Sequence, residues 1–212
     1  MPELAMQIPV EKGKVVLEGL WLDGKIGRSV VLCHPHPLYG GNMQNNVVIA
    51  AQQAFAARGW GTLRFNFRGV GRSGGRTAQG TKDAEDLLEV AEYLQTNHPG
   101  HVDFASYSYG AWATLEAVRL GLSPDLLILL SPPLDFMSFS GLQLPDRNIL
   151  ITLGNQDEFC SVESLKKWLS AQPNASRATV EFLAYGDHFY WGLERELSAK
   201  IAAFLTGALS GR

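Results

Sequence analysis

The sequence predicts an α/β protein on a mainly parallel, doubly wound sheet, with an antiparallel hairpin at its N-terminal edge. Three observations predict it. Short uninterrupted apolar runs recur at 29–33 (Ser-Val-Val-Leu-Cys), 125–130 and 148–153, the pattern of strands buried on both faces. Segments with apolar residues at helical spacing separate them. The composition, 46% hydrophobic and 18% charged over 212 residues, supplies enough apolar side chain for a sizeable core in one domain, taken here as 1–212. Strands alternating with helices at this rhythm imply βαβ units, hence a parallel sheet with helices on both faces.

The elements follow in order. Residues 6–23 read as the hairpin: 14–22 is rich in β-formers, and Lys12-Gly13 and Asp23-Gly24 are turn signals. Strand 29–33 runs into His34-Pro35-His36-Pro37-Leu38-Tyr39-Gly40-Gly41, which two prolines and two glycines keep from helix or strand. Residues 46–58 carry Val47, Ala50, Ala51, Ala54 and Phe55 at helical spacing, and Gly59 stops the helix. Strand 60–67 ends in the glycine-dense loop 68–75. Helix 81–97 has Ala84, Leu87, Leu88, Ala91 and Leu94 on one face, and acids in its first turns where the helix dipole favours them. A strand from Val102, a helix over 111–120, strand 125–130, an irregular connection over 131–146, strand 148–153, helix 162–172, strand 178–184 and a closing helix over 190–209 complete the chain.

Bulk properties exclude several classes. The net charge is −3 with no basic run, which argues against nucleic acid as a partner. No apolar run is long enough to span a bilayer, and the first residues lack the charged and apolar regions of a signal peptide. Two cysteines, Cys33 and Cys160, do not make a disulfide framework. Cytoplasmic residence follows as the default expectation, and oligomeric state is left open.

The chemistry centres on Ser106-Tyr107-Ser108-Tyr109-Gly110, the form of a nucleophile elbow on a strand-to-helix turn. Such a turn needs small residues two before and two after the nucleophile. Gly110 obeys the rule; Ser106 replaces the usual first glycine. Serine is a weak nucleophile at neutral pH, so a histidine must take its proton, and a carboxylate must hold that histidine in one tautomer. His188, after the last predicted strand, is the expected base. Asp157, after strand 148–153, is the expected acid, with Glu158 and Asp135 as competitors. The order Ser…Asp…His is the one such a fold uses. His98 and His101 lie at the opposite end of the sheet. Charge on the reacting carbonyl oxygen needs preorganised N–H donors. Tyr109 N–H is one; the second comes from His36 or Leu38, since Pro35 and Pro37 have none, and His36 is favoured. Leu38, Tyr39 and Phe159 are the expected substrate-contacting side chains. His34-x-His36 lacks further metal ligands nearby, so no metal is expected. The 68–75 loop lacks the remainder of a phosphate-binding motif and reads as a tight turn.

Together, His34-Pro35-His36-Pro37-x-x-Gly40-Gly41-Asn42, Asn66-Phe67-Arg68-Gly69-Val70-Gly71-x-Ser73, the Ser108 elbow, Gly154-x-x-Asp157 and Asp187-His188-Phe189 resemble the small lidless bacterial α/β-hydrolases, predicted hydrolases or esterases related to dienelactone hydrolases. The resemblance covers nearly the whole chain. It implies the α/β-hydrolase fold, a Ser108–Asp157–His188 triad and no cofactor. Dienelactone hydrolases carry cysteine at the elbow, so that specific activity is not implied. The segment between strands 125–130 and 148–153, where lids are usually inserted, is too short for a lid domain. An open site suits small or carrier-presented acyl esters and argues against a lipase with a closing flap. The expected activity is carboxylic ester hydrolysis through an acyl-enzyme on Ser108. Thioesterase or peptidase action on the same triad and a non-catalytic binding module are the alternatives.

Overall fold

The computed structural model describes residues 2–77 and 80–210, with side chains through 208. Eight strands form one sheet: β1 (Leu4–Val10), β2 (Val15–Leu22), β3 (Arg28–Cys33), β4 (Gly61–Phe65), β5 (His101–Tyr107), β6 (Leu126–Leu130), β7 (Asn148–Gly154) and β8 (Ala178–Leu183), in the order β1-β2-β4-β3-β5-β6-β7-β8. β1 pairs antiparallel with β2, and β2 with β4. The remaining pairings are parallel, so the predicted parallel sheet with an N-terminal hairpin is the observed one.

Side-chain alternation divides the core into two layers. Val102 and Phe104 of β5, Leu127 and Leu129 of β6, and Ile149 and Ile151 of β7 pack with helices α2 (Thr81–Asn97), α3 (Tyr109–Arg119) and α4 (Val162–Ser170). Ala105, Tyr107, Ile128 and Leu150 face the other way, onto α1 (Asn46–Ala57) and α5 (Glu194–Ser210). A strand buried on both faces has no polar side to mark, which is why the central strands read as continuous apolar runs.

Helix starts follow local chemistry. Asn45 caps α1, its side chain accepting from Val47 N–H at 2.9 Å, and Ser161 caps α4 through Ser164 N–H at 3.1 Å. The closing helix begins at Glu194 rather than at residue 190 as its apolar stripe suggested. Tyr190 and Gly192 have φ of 55° and 78°, left-handed conformations that no helix continues through. β4 stops two residues earlier than the β-rich run did, because Phe67 N–H donates to the His34 ring instead of to the ladder.

Topology positions the site. From β3 the chain crosses to β4 on one side and later returns to β5 on the other side of β3. Strand order therefore reverses between β3 and β5, and ligands bind in the crevice outside the carboxyl ends of the strands at such a point. The His34–Gly41 loop leaves β3 there, and Ser108 leaves β5 beside it. Residues 131–147 join β6 to β7 without a helix or strand, so nothing inserted at that position covers the crevice.

Candidate active site

Ser108 stands between the last residue of β5 and the first of α3, with φ 53° and ψ −117°. A non-glycine residue in this region costs on the order of 1–3 kcal/mol. The surrounding backbone holds it: Ser108 N–H donates to Leu130 O at 2.9 Å and Ser108 O accepts from Ala111 N–H at 2.9 Å. The turn is tight enough that a Cβ on Gly110 would stand 2.8 Å from the carbonyl oxygen of Cys33, so α3 packs directly on the end of β3. Ser106, the departure from the glycine rule, is fully buried and shares a 2.7 Å hydrogen bond with Thr114 Oγ1, one turn into α3. Thr114 satisfies the hydroxyl that Ser106 brings into the packed turn.

The other two side chains arrive on paired loops. After β7, Gly154 lies so close to the loop following β8 that a Cβ would stand 2.3 Å from Gly186 O. Gln156 N–H donates to Gly186 O at 2.8 Å. This contact brings Asp157 and His188 together. His188 Nδ1 lies 3.0 and 2.9 Å from the two Asp157 carboxylate oxygens, and His188 Nε2 lies 2.9 Å from Ser108 Oγ. Because a carboxylate only accepts, Nδ1 carries the proton and Nε2 offers its lone pair to the serine hydroxyl. Asp157 is held in turn by the N–H groups of Phe159 and Cys160 at 2.8 and 3.1 Å. The imidazole is held by its own backbone, as Tyr107 OH donates to His188 O at 2.9 Å. All three side chains are buried or nearly so.

The competitors are placed elsewhere. Asp135 accepts from Ser161 N–H at 2.7 Å and from Ser164 Oγ at the start of α4. Those two hydrogen bonds hold its carboxyl below the usual range. Glu158 points to solvent. His101 pairs with Asp125 at 2.8 Å, and His98 packs on Trp21.

The β3 loop supplies the facing wall. His34 is fully buried, its Nε2 accepting from Phe67 N–H at 3.0 Å and its Nδ1 donating to Pro35 O at 2.7 Å. Burial holds it neutral, with a pKa lowered to about 4. His34 thus ties the loop after β3 to the end of β4, a structural duty its position did not advertise. Pro37–Tyr39 forms a short 3₁₀ turn capped by His36, whose Nδ1 accepts from Leu38 N–H at 3.2 Å. The Leu38 donor is therefore engaged within its own turn. The rings of His36 and Tyr109 lie 4.8 Å apart, so the two residues singled out as oxyanion donors touch. Tyr109 N–H stands in the first turn of α3, on the positive end of the helix dipole.

A cavity of about 470 Å³ opens between this wall and the paired loops, lined by His36, Tyr39, Ser108, Phe136, Phe159, His188 and Phe189 among others. Tyr39 and Phe159 line it. Leu38 does not: a 3₁₀ turn points successive side chains about 120° apart, and Leu38 lies 60% exposed, away from the cavity. Phe136 also lines it and was missed; Phe189, one of the aromatics clustered in these loops, was set aside as core and lines it too. Phe136 sits in the irregular 131–147 segment and Phe189 directly after the histidine, and neither has a periodic pattern to flag it. A wider groove, about 790 Å³, runs between α5 and the edge strand β8. It includes Asn148 and Thr179 at the amino ends of β7 and β8, the opposite end from Ser108, and among the described residues lining it no serine or cysteine stands beside a histidine.

Among the described residues, no three His, Cys, Asp or Glu side chains converge as a metal site. Cys33 and Cys160 are buried thiols, each raised to about 12, chiefly by loss of solvent. The 68–75 loop folds on itself: Gly69 N–H donates to Gly74 O, and Glu18 accepts from Asn66 and from Arg72 N–H. Among the described residues, no helix is long and apolar enough to cross a membrane.

The model of a family described as "Alpha/beta hydrolase family" matches residues 30–209. An uncharacterized protein of Rickettsia prowazekii (strain Madrid E) is 30% identical over 186 residues, covering 82% of this chain and 77% of its own. A lidless α/β serine hydrolase from Xanthomonas campestris superposes with a TM-score of 0.88 at 27% identity, covering 98% of this chain and 95% of that one. An α/β serine hydrolase homologue from Coxiella burnetii gives 0.86 at 30% identity, covering 97% and 98%.

Proposed function

From the premise that this chain belongs to the alpha/beta hydrolase family, as a small lidless serine hydrolase, we propose that it cleaves carboxylic esters through an acyl-enzyme on Ser108. The supporting observation is the unbroken run of contacts from Ser108 Oγ to His188 Nε2 at 2.9 Å, and from His188 Nδ1 to Asp157 at 2.9 and 3.0 Å.

In this reading His188 takes the hydroxyl proton as Ser108 Oγ attacks the ester carbon. Asp157 keeps the imidazole oriented and stabilises the imidazolium. The oxyanion that forms is received by the N–H groups of Tyr109 and His36. Leu38 N–H is engaged with His36 Nδ1, which favours His36 as the second donor. One such donor is worth roughly 3 kcal/mol of barrier. His188 then returns its proton to the leaving alcohol, the alcohol departs, and a water activated by the same imidazole releases the acid. The open, largely apolar crevice fits a small-molecule substrate. In this reading residues 1–212 act as one catalytic unit.

Ser108→Ala tests the assignment. Turnover of p-nitrophenyl acetate should fall at least a thousandfold, with the circular dichroism spectrum and melting temperature retained. The native protein should be labelled by a fluorophosphonate at Ser108. Full activity in the Ala variant, or no labelling of the native protein, removes Ser108 from the role. Relative turnover of matched ester, thioester and amide substrates separates esterase from thioesterase and peptidase.

A further inference from the structure

The leaving oxygen of a substrate must come within reach of His188 Nε2 to receive its proton. Whatever that oxygen carries therefore lies against the groups packed on the imidazole. Those groups are aromatic. The Phe159 ring centre is 4.6 Å from that of His188, and the Phe189 ring is 5.6 Å from it at 89°. Phe159 in turn meets Phe189 at 6.2 Å and 84°, and Phe136 at 5.4 Å and 89°.

Three phenyl rings thus stand around one side of the reaction centre, two of them perpendicular to the third. Phe189 and Phe136 are 40% and 49% exposed, so they face the open crevice and are not buried in the core. Among the described residues lining the cavity there is no Lys, Arg, Asp or Glu, so apart from the two histidines, His36 and His188, no ionisable side chain of that kind faces a charge on the group seated there. Burying an uncompensated charge is costly, whereas a ring set offset or edge-on to others gains beyond its buried area.

We infer that the substrates are uncharged esters of aromatic alcohols, with the alcohol's ring seated between Phe159 and Phe189 and against Phe136. The inference rests on Ser108 and His188 acting as proposed above. It concerns specificity on the alcohol side of the ester and makes no assignment for the acyl group.

Benzyl acetate and cyclohexylmethyl acetate test it. They share the acyl group and have nearly the same alcohol size, and they differ in the aromatic character of the ring; the more acidic benzyl leaving group affects native and variant enzymes alike, so the change in ratio between them reads the rings. The expected result is a kcat/KM about tenfold higher for the benzyl ester. Phe159→Leu and Phe189→Leu should each lower that ratio, and the double variant should bring it near one. Benzyl alcohol should also inhibit the native enzyme more strongly than cyclohexylmethanol, a comparison that needs no variant to fold. Ser108-dependent turnover of both esters at equal kcat/KM overturns the aromatic assignment and leaves the esterase reading standing. Absence of Ser108-dependent turnover of either ester overturns both.

Discussion

Asp83 has no solvent around it. Its Oδ2 accepts from Tyr109 OH at 2.5 Å, and its Oδ1 stands 4.0 Å from Arg68 Nε. Arg68 is itself taken by Asp86, at 2.7 and 2.5 Å. Loss of solvent raises the Asp83 pKa to about 6. The Tyr109 hydrogen bond opposes this, Asp86 adds to it, and Arg68 opposes it. The sign for stability follows. In the unfolded chain the carboxyl titrates near 3.8, so between the two values the folded state holds more protons, and stability falls as pH rises through that window. Asp83→Asn keeps an acceptor for Tyr109 and removes the titration. The stability of the variant relative to the native chain should therefore rise between pH 4 and pH 6.5, by on the order of 1–3 kcal/mol, and level off above. Urea unfolding at several pH values measures it, and a flat or opposite trend contradicts the assignment. Nothing in the local sequence marks Asp83 for this duty. It reads as one of three acids in the first turns of a helix, because its surroundings come from Arg68 after β4 and Tyr109 at the start of α3, two distant parts of the chain. Ser106 is the reverse case: visible in the sequence as a broken rule, and explained only by Thr114.

At the scale of elements, two close backbone approaches assemble the site. Gly110 lets α3 settle on the end of β3, and Gly154 lets the loop after β7 lie against the loop after β8. Gly154→Ala would press a methyl against Gly186 O and Asp187 O and spread the loops that carry Asp157 and His188. The expected result is a kcat lower by about a hundredfold, since an error near 1 Å in catalytic placement costs that much. Stability should drop by roughly 1–3 kcal/mol. Turnover of p-nitrophenyl acetate and urea unfolding read the two effects, and an Ala variant with native values of both refutes the brace. Strand and helix identities were legible throughout, because buried strands and amphipathic helices each have their own periodicity. Boundaries slipped where backbone conformation prevailed over pattern. Tyr190 and Gly192 turn the chain just where an apolar stripe suggested helix, and Phe67 leaves the ladder for His34.

Across the whole molecule, no inserted element among the described residues covers the crevice. With no helix or strand between β6 and β7, no flap must open at an oil–water boundary before substrate enters. Turnover of a sparingly soluble ester such as tributyrin should therefore saturate smoothly, with no jump as the substrate passes its solubility limit; a sharp rise at that limit would show a moving cover. The reversal of strand order between β3 and β5 is why the proposed chemistry is placed here and not in the wider groove beside β8. At the reversal the crossovers diverge to opposite faces, and the two loops leaving the strands are drawn apart into a crevice.

The sequence by itself determined the α/β class, the order of strands and helices, the elbow at Ser108, and Asp157 and His188 as leading candidates. These are local matters: periodicity, turn residues and chain order are written within a few residues of each position. Only the tertiary structure decided that Asp157 rather than Asp135 meets His188, that Leu38 N–H is engaged while Leu38 itself faces solvent, and that Phe136 and Phe189 stand with Phe159 around the imidazole. Those outcomes depend on which distant loops the sheet order brings side by side, and on the last ångström of packing between glycines, which no short stretch of sequence contains.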